Sequence, residues 1–246
     1  MDRKLLQYLV EYLVKESEAH GCALPPAAAD AAHDDLASAS ADELWLAFRS
    51  LVNVRPPWPA EFLAAQNELL QGLIAEAGVA TLADATPSPT DSRLRLWRGD
   101  ITTLAVDAIV NAANSDMTGC WAPLHYCIDN AIHTFAGVQL REACANLMAA
   151  QGHPEPTAQA KVTDAYNLPA RYVIHTVGPI ADGRPTDTHR RQLTECYQAC
   201  LDAVAGAGLA SIAFCCISTG VFGFPQAEAS SIAVATVRRW LDEHPD

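Results

Sequence analysis

From about residue 91 onward, short β-rich runs alternate with helical stretches along the chain. The β-rich runs cover residues 93–97, 108–111, 172–177 and 211–217, and the helical stretches lie near residues 125–150, 186–206 and 226–241. Strands that alternate with helices are typical of a sheet whose two faces are covered by helices. We therefore predict a three-layer α/β domain, in which ligands bind beyond the carboxyl ends of the strands.

The N-terminal part of the chain carries a helical pattern instead. Leucine and valine side chains recur at three-to-four spacing between residues 5 and 14, which places one apolar stripe on a helix. Two further helices are expected over residues 42–52 and 60–77. The second of these follows a proline-rich segment, and Gly78 is placed as its C-terminal stop.

The segment between these two parts, residues 84–92, is rich in Pro, Ser, Thr and Asp and is typical of a linker. We therefore divide the chain into a helical extension with its linker, residues 1–90, and the α/β domain, residues 91–246. The extension carries no chemical motif of its own. It is expected to form a structural layer packed against the α/β domain, with substrate gating or partner docking as the alternatives.

The charge of the chain limits its partners. Acidic residues number 29 against 16 basic residues, the formal net charge is -13, and the Lys and Arg residues form no cluster. Proteins that bind nucleic acid or anionic membranes need basic patches, so we expect no nucleic acid and no membrane as partners. A small anionic ligand held by backbone amides is still allowed.

Two further patterns concern the compartment. The uncharged run 203–227 contains four glycines and a proline, which indicates a helix end, a strand and a loop rather than a membrane span. The sequence opens with MDRKLLQYLVEYLVKE, which lacks the uncharged apolar stretch and the cleavage site of a signal peptide. We therefore expect a cytoplasmic protein.

Three candidate metal ligands lie within eight residues, namely Cys120, His125 and Cys127. Two thiolates and an imidazole suit Zn²⁺. No second ligand pair follows at the spacing of a closed structural site, and three protein ligands with one open position are typical of a catalytic zinc. The alternative is that both cysteines are packing thiols and the histidine is a structural residue.

Two titratable residues follow this set on a predicted helix. Asp129 is either a helix-start carboxylate stabilised by the helix dipole, or a general base or orienting carboxylate beside the metal. His133 lies four residues further on, on the same helical face, and is expected to be a structural hydrogen-bonding residue.

Two loops that follow strands are candidates for ligand binding. The segment 218–225 contains Gly220 and Gly223 and precedes a helix, so backbone can approach a phosphate group closely there. It is neither a Walker A loop nor a dinucleotide fingerprint. Its two phenylalanines are available either to stack on a sugar or base or to anchor the loop in the core. The second loop, 99–102, reads by itself as an Asx turn.

Taken in order, five motifs resemble those of the macrodomains, the ADP-ribose-binding fold. They are GDIT at 99–102, NAAN at 111–114, IDNAIH at 128–133, HTVGP at 175–179 and STGVFGFP at 218–225, within a resemblance that covers about residues 93–243. The helical extension and the segment GCWAPLHYCIDNAIHTFAG at 119–137 are similar to the zinc-containing branch of microbial protein-ADP-ribose hydrolases. This resemblance implies a three-layer α/β/α macrodomain with a mixed central sheet.

The resemblance also implies binding roles. Asp100 would bind the adenine amino group of ADP-ribose with the Ile101 amide nearby, and Asn114 would position the distal ribose. Backbone N–H groups of one loop would wrap the diphosphate, those of Ser218, Thr219, Gly220, Val221, Phe222 and Gly223. Phe224 would pack against the distal ribose.

For the chemistry, the resemblance makes Cys120, His125 and Cys127 the ligands of Zn²⁺ and makes Asp129 and Asn114 the catalytic residues. In the commoner macrodomains the first loop is a run of glycines that cradles phosphate. The metal-ligand segment replaces that run here, so phosphate contacts of the first loop are not carried over.

The implied reaction is hydrolysis of the bond between the distal ribose C1 of ADP-ribose and a modified protein side chain, an ester on Asp or Glu. The zinc ion would act either as a Lewis acid or as a water activator. The resemblance further implies a sirtuin-like ADP-ribosyltransferase as the modifying enzyme and a lipoyl-carrier protein as the modified substrate. The alternatives are an ADP-ribose reader without turnover, an O-acetyl-ADP-ribose deacetylase, and a zinc ion that only ties the loop to its helix.

Overall fold

The computed structural model describes residues 1–33, 35–52 and 58–245. The helices are α1 (Arg3–Ala19), α2 (Pro26–His33), α3 (Ala41–Leu51), α4 (Ala60–Ala77), α5 (Ile128–Ala136), α6 (Val138–Gln151), α7 (Asp187–Gly206) and α8 (Gln226–Glu243). The strands are β1 (Thr86–Pro87), β2 (Arg95–Leu96), β3 (Ala108–Ala113), β4 (Ala160–Asp164), β5 (Tyr172–Val177) and β6 (Ile212–Ala213). None of the described helices is long and apolar enough to cross a membrane.

The helical extension is built on the apolar stripe of α1. Leu6, Leu9 and Leu13 are fully buried in a cluster that α3 and α4 complete. Helix α4 begins and ends as predicted, with Gly78 at its C-terminal cap. Helix α2 was not predicted, because an alanine-rich segment of eight residues carries too little periodicity to be recognised.

The central sheet is mixed, as predicted. Its strand order is β4-β5-β3-β6, and β3 pairs in parallel with both β5 and β6, whereas β4 pairs antiparallel with β5. Helices α5 and α6 cover one face of the sheet, and α7, with α8 packed on it, covers the other. The three-layer α/β/α architecture is therefore confirmed.

Strand boundaries agree with the sequence only in part. Strand β5 covers the predicted residues 172–177, whereas the predicted run 211–217 is a strand only at Ile212–Ala213. The run 93–97 does not join the central sheet. Its residues Arg95–Leu96 pair antiparallel with Thr86–Pro87 of the predicted linker, in a separate two-stranded sheet. The turn of that hairpin is stabilised by Asp91, whose carboxylate accepts hydrogen bonds from the Arg93 amide and guanidinium.

The extension packs directly on the helices that carry the predicted site. Gln66 of α4 is fully buried, and its Oε1 accepts a hydrogen bond of 3.0 Å from the Val138 amide at the start of α6. This side chain satisfies one of the N–H groups that a helix start leaves unpaired. Val138 in turn belongs to the apolar cluster of the extension, and Ile74 of α4 belongs to that of the sheet. The division of the chain near residue 90 stays a prediction, since the two cores share residues across it.

Candidate active site

Most of the predicted site residues line a single cleft. It opens beyond the carboxyl ends of β3 and β6, beside the first turns of α5 and α8. The predicted residues in its lining are Asp100, Ile101, Asn114, Cys120, His125, Cys127, Asp129, Ser218, Thr219, Gly220, Val221 and Phe222. The carboxyl ends of neighbouring parallel strands meet at one edge of the sheet, which is why loops distant in sequence converge here.

Asn114 directly follows β3 and is oriented by its own turn. Its Oδ1 accepts hydrogen bonds from the amides of Asp116 (3.0 Å) and Met117 (3.1 Å). The side-chain nitrogen therefore points the other way and donates to the Gly119 carbonyl at 3.1 Å and to Asp129 Oδ2 at 3.3 Å. This turn thus aims a hydrogen-bond donor at the Asp129 carboxylate.

Asp129 lies in the first turn of α5 and is 5% exposed. Its two carboxylate oxygens are held by two asparagine amides, since Oδ1 accepts from Asn111 Nδ2 at 2.8 Å and Oδ2 accepts from Asn114. Burial raises the pKa of Asp129 to about 6, against the opposing effects of the Asn111 hydrogen bond and the Arg141 charge. Asp129 therefore presents to the cleft a buried carboxylate of fixed orientation.

Cys120, His125 and Cys127 bring their ligand atoms together, and all three side chains are half-buried. Cys120 Sγ lies 3.3 Å from His125 Nδ1, and the three ligand atoms are all within 4.8 Å of one another. In a tetrahedral zinc site with ordinary bond lengths, the ligand atoms stand about 3.3–3.8 Å apart. The spacing and the chemistry of this donor set fit Zn²⁺.

Cys127 has a second part in this arrangement, since it is also the N-terminal cap of α5. Its Sγ accepts a hydrogen bond of 3.4 Å from the Asn130 amide. Burial raises the pKa of the Cys127 thiol to about 11. The predicted metal ligand therefore fixes the start of the helix that carries Asp129.

The metal-ligand loop rests on two buried side chains of α5 and α6. A Cβ atom on Gly119 would lie 2.8 Å from Cγ of His133 and 3.2 Å from Cζ of Arg141. Arg141 is 3% exposed and donates from Nη2 to the Cys120 carbonyl at 3.2 Å. Backbone and buried side chains therefore touch at this point, where only glycine fits.

Gly119→Ala is expected to destabilise the protein more than Gly152→Ala does. Both glycines have positive φ angles, +83° and +76°, but nothing lies within 4 Å of a Cβ at Gly152. Strained backbone is therefore common to both variants, and only Gly119→Ala adds a clash, which costs about 1–3 kcal/mol more. Urea unfolding measures the difference, and equal losses in the two variants would contradict the close packing of this loop.

The loop after β6 has the form of an anion site. Ser218 adopts a positive φ of +63°, and its carbonyl accepts from the Phe224 amide at 2.9 Å, which closes the loop. In the part of the chain that the structure describes, the amides of Gly220, Val221 and Phe222 donate to no acceptor. Three such N–H groups before the N-terminus of α8 can hold a phosphate group without a basic side chain.

Two of the residues predicted to contact the ligand do not line the cleft, namely Gly223 and Phe224. Phe224 is 1% exposed, belongs to the apolar cluster beneath α7 and α8, and does not line the cleft, whereas Phe222 does. Phe222, and not Phe224, is therefore placed to contact a ribose in the cleft. Gly223 is outside the cleft lining as well, and its N–H, predicted to bind the diphosphate, donates to the Gly220 carbonyl at 3.0 Å. Thr219 lines the cleft, but its N–H donates to the Cys216 carbonyl at 3.3 Å.

Asp100 takes the turn conformation that its sequence allows. Its Oδ1 accepts from the Thr102 amide at 2.9 Å and from Thr102 Oγ1 at 2.7 Å, which begins a short 3-10 helix at Ile101. Asp100 is exposed and lines the cleft, and both of these bonds use Oδ1 and leave Oδ2 available to a ligand.

Three buried polar residues lie behind Asp129, namely Asn111, His133 and His175. The structural hydrogen bonds predicted for His133 are absent among the described residues, since neither of its ring nitrogens has a hydrogen-bond partner there. No role was predicted for Asn111 or His175. His133 is fully buried with Nε2 3.6 Å from Asp129 Oδ1, and burial, then the charges of His175 and Arg141, lower its pKa well below the ordinary value. Burial also lowers the pKa of His175, to about 3. The signal available in the sequence was a polar residue inside each of two apolar strands, Asn111 in β3 and His175 in β5.

The helical extension reaches the cleft through α3. Arg49 donates from Nη2 to the side-chain oxygen of Asn130 at 3.2 Å, next to Asp129 in the chain. Trp45 packs on Phe135 of α5 with the ring centroids 5.9 Å apart, and both Trp45 and Arg49 line the cleft. The extension therefore packs on the α/β domain and also contributes residues to the lining of the cleft.

Fold and site together define a three-layer α/β ligand-binding domain with an anion loop and a Cys₂His cluster in one cleft. The Macro domain family model matches residues 110–233. The chain is 53% identical over 238 residues to a protein-ADP-ribose hydrolase of Treponema medium, covering 95% of this chain and 86% of that protein. It is 49% identical over 207 residues to one of Staphylococcus aureus (strain MRSA252), covering 83% of this chain and 77% of that protein. The chain belongs to the macrodomain family.

A solved structure supports the same assignment. The Trypanosoma brucei macrodomain in complex with ADP-ribose aligns with this chain at a TM-score of 0.61 and 33% sequence identity. The alignment covers 80% of this chain and 84% of that one.

Proposed function

We propose that this chain is a zinc-dependent hydrolase that removes ADP-ribose from mono-ADP-ribosylated protein side chains. The observation that carries the proposal is the buried Asp129 carboxylate, held by two asparagine amides in the same cleft as a Cys₂His cluster. A protein that only binds ADP-ribose has no need of either feature. The protein-ADP-ribose hydrolases to which the chain is similar support the same activity.

The cleft offers a place for each part of ADP-ribose. The free oxygen of Asp100 would accept a hydrogen bond from the adenine amino group, next to the Ile101 amide. The unpaired amides of the loop after β6 would bind the diphosphate, and no basic patch is needed for this. Asn114 would hold the distal ribose beside Asp129, since its side-chain nitrogen already donates toward that carboxylate.

Cys120, His125 and Cys127 would hold Zn²⁺ with one coordination position open to the cleft. A zinc ion bound there supplies either Lewis-acid polarisation of an oxygen ligand or a lowered pKa of bound water. Burial otherwise disfavours the Cys127 thiolate, and a neighbouring dication reverses that effect.

The bond that breaks joins C1 of the distal ribose to the carboxylate oxygen of a modified Asp or Glu. Water supplies an OH group to ADP-ribose and a proton to the medium, and the protein side chain leaves as a free carboxylate. Asp129 would orient the attacking water or accept its proton. Its fixed orientation suits that task because a base must stand within hydrogen-bond reach of the proton it takes.

The proposed substrate is a lipoyl-carrier protein modified by a sirtuin-like ADP-ribosyltransferase. Such a substrate would bring the modified side chain to the mouth of the cleft, where Trp45 and Arg49 of α3 stand opposite the first turn of α5. We also propose that the protein works in the cytoplasm.

Release of ADP-ribose from a mono-ADP-ribosylated protein, with and without a zinc chelator, tests the proposed function. We expect release by the zinc-replete protein and a loss of about a hundredfold or more after chelation, which zinc restores. Binding of ADP-ribose without any release by zinc-replete protein would identify a reader and overturn the proposal. The rate of deacetylation of O-acetyl-ADP-ribose, measured in the same assay, shows which of the two substrates the protein hydrolyses faster.

A further inference from the structure

A row of polar side chains crosses three strands beneath α5. Asn111 of β3 and His175 of β5 are register partners in the parallel pair. Thr163 of β4 pairs with Val173 and reaches His175 diagonally on the same face of the sheet. Their neighbours on the same face of β3 and β5 are apolar and buried: Ile109, Ala113, Val173 and Val177. The polar row therefore interrupts an otherwise apolar face and ends at Asp129.

Hydrogen bonds join the row without a gap. His175 Nε2 lies 3.0 Å from Thr163 Oγ1, and His175 Nδ1 lies 3.2 Å from Asn111 Nδ2. Asn111 Nδ2 also donates to Asp129 Oδ1 at 2.8 Å. An amide nitrogen only donates, so Nδ1 of His175 accepts, and the ring hydrogen is on Nε2 and is donated to Thr163.

This tautomer determines which way the Asn111 amide faces. Both of its N–H groups point at acceptors, the lone pair on Nδ1 of His175 and the Asp129 carboxylate. A flipped amide would place its carbonyl oxygen against the same two acceptors and would lose both bonds. The orientation of Asn111, and with it the bond to Asp129 Oδ1, therefore depends on His175 keeping its hydrogen on the side of Thr163.

Burial makes this arrangement costly, and Asn111 Oδ1 has no hydrogen-bond partner among the described residues. Asn111 and His175 are fully buried, and Thr163 is 7% exposed. Buried polar groups lower stability when they lack partners, and apolar residues of similar size would pack on this face without that cost. A polar row kept in a core position is therefore better explained by what it holds at its end.

We propose that Thr163, His175 and Asn111 are positioning residues that hold the Asp129 carboxylate in its reactive orientation, with Thr163 acting through the tautomer of His175. This inference rests on the proposed hydrolase function, in which Asp129 handles the attacking water. None of the three residues lines the cleft. Residues that orient a catalytic group from behind affect the rate more than they affect ligand binding.

A second metal site is the alternative explanation of these buried residues, since the ligand atoms of His133, Cys144 and His175 lie within 4.8 Å of one another. Two observations oppose it. Cys144 Sγ lies 3.7 Å from His175 Nε2, the nitrogen that Thr163 already engages. The buried cation of Arg141 stands close enough to His133 to lower its pKa, which opposes a second dication there. We therefore expect one zinc ion per chain. If the wild type bound two zinc ions and a variant with His175 replaced bound only one, the positioning role would be overturned.

Thr163→Val tests the inference, because valine has nearly the same shape as threonine and lacks only the hydroxyl acceptor. The turnover number kcat is expected to fall about tenfold, while the Kd for ADP-ribose stays within about twofold. Thr163→Ser restores the hydroxyl and is expected to restore kcat. Thr176→Val is the matched control, since Thr176 is a buried threonine of the neighbouring strand β5 that lies on the opposite face of the sheet from His175.

A spectroscopic measurement reports the tautomer without turnover. In ¹⁵N NMR spectra, we expect His175 to carry its hydrogen on Nε2 in the wild type and in Thr163→Ser. In Thr163→Val we expect both tautomers of His175 to be populated. The positioning role alone would be overturned if the wild type were active and Thr163→Val had the same kcat. It would also be overturned if Thr163→Val and Thr176→Val lowered kcat equally. A zinc-replete wild type that releases no ADP-ribose would overturn the proposed function as well.

Discussion

Asp129→Ala is expected to lower the rate of ADP-ribose release about a thousandfold while zinc content and ADP-ribose binding stay near those of the wild type. General acid–base groups contribute about 10²–10⁴ to rate, and this carboxylate stands at the meeting point of the proposed metal site and the ribose position. The alanine variant also leaves Asn111 Nδ2 and Asn114 Nδ2 without their carboxylate acceptor. Single-turnover release, calorimetric titration with ADP-ribose and metal analysis of the same sample measure the three quantities.

Two comparisons make this result specific. Asp129→Asn keeps the shape of the side chain and removes its basicity, so the same loss of rate is expected with less change in stability. Asp164→Ala removes an exposed carboxylate at the end of β4 and is expected to retain the wild-type rate. If the rate in Asp129→Ala fell only as far as its zinc content did, Asp129 would be a support of the metal loop and not a participant in the chemistry.

Several residues that line the cleft were predictable because their segments follow a strand or precede a helix. Asn114 comes directly after the apolar strand β3, and Ser218 follows the predicted run 211–217, so the topology alone brings them to one edge of the sheet. Helix α4 was predictable to the residue because Gly78 ends it. These features depend on local spacing, which a single sequence displays.

Features that depend on pairing between distant segments were not predictable. The hairpin of β1 and β2 needs Thr86–Pro87, which read as linker, to pair with Arg95–Leu96. The row through His175 needs the register of three strands, and the histidine alone gives no sign of its neighbours. Phe222 and Phe224 look alike in sequence, but in the folded loop Phe222 lines the cleft and Phe224 is buried in the core.

Cys127→Ala is expected to remove zinc and to lower the rate of ADP-ribose release about a hundredfold or more, but on its own it would not separate two roles of this residue. Cys127 is a predicted metal ligand and also the N-terminal cap of α5. Loss of a helix cap costs about 1 kcal/mol, and this helix carries Asp129. A fall in activity after Cys127→Ala is therefore ambiguous between a lost metal ion and a frayed helix.

Cys127→Ser and His125→Ala separate the two roles. Serine is a favoured N-terminal cap and a poor zinc ligand, so Cys127→Ser is expected to lose zinc and activity while α5 keeps its start. His125→Ala removes a ligand and leaves the cap untouched. Cys22→Ala, at an exposed thiol outside the cleft, is the control for cysteine replacement itself.

If zinc only ties the loop to its helix, melting temperature and activity will fall in proportion across the variants. If zinc takes part in the reaction, Cys127→Ser will melt above Cys127→Ala and yet be equally inactive, because only the helix cap differs between them.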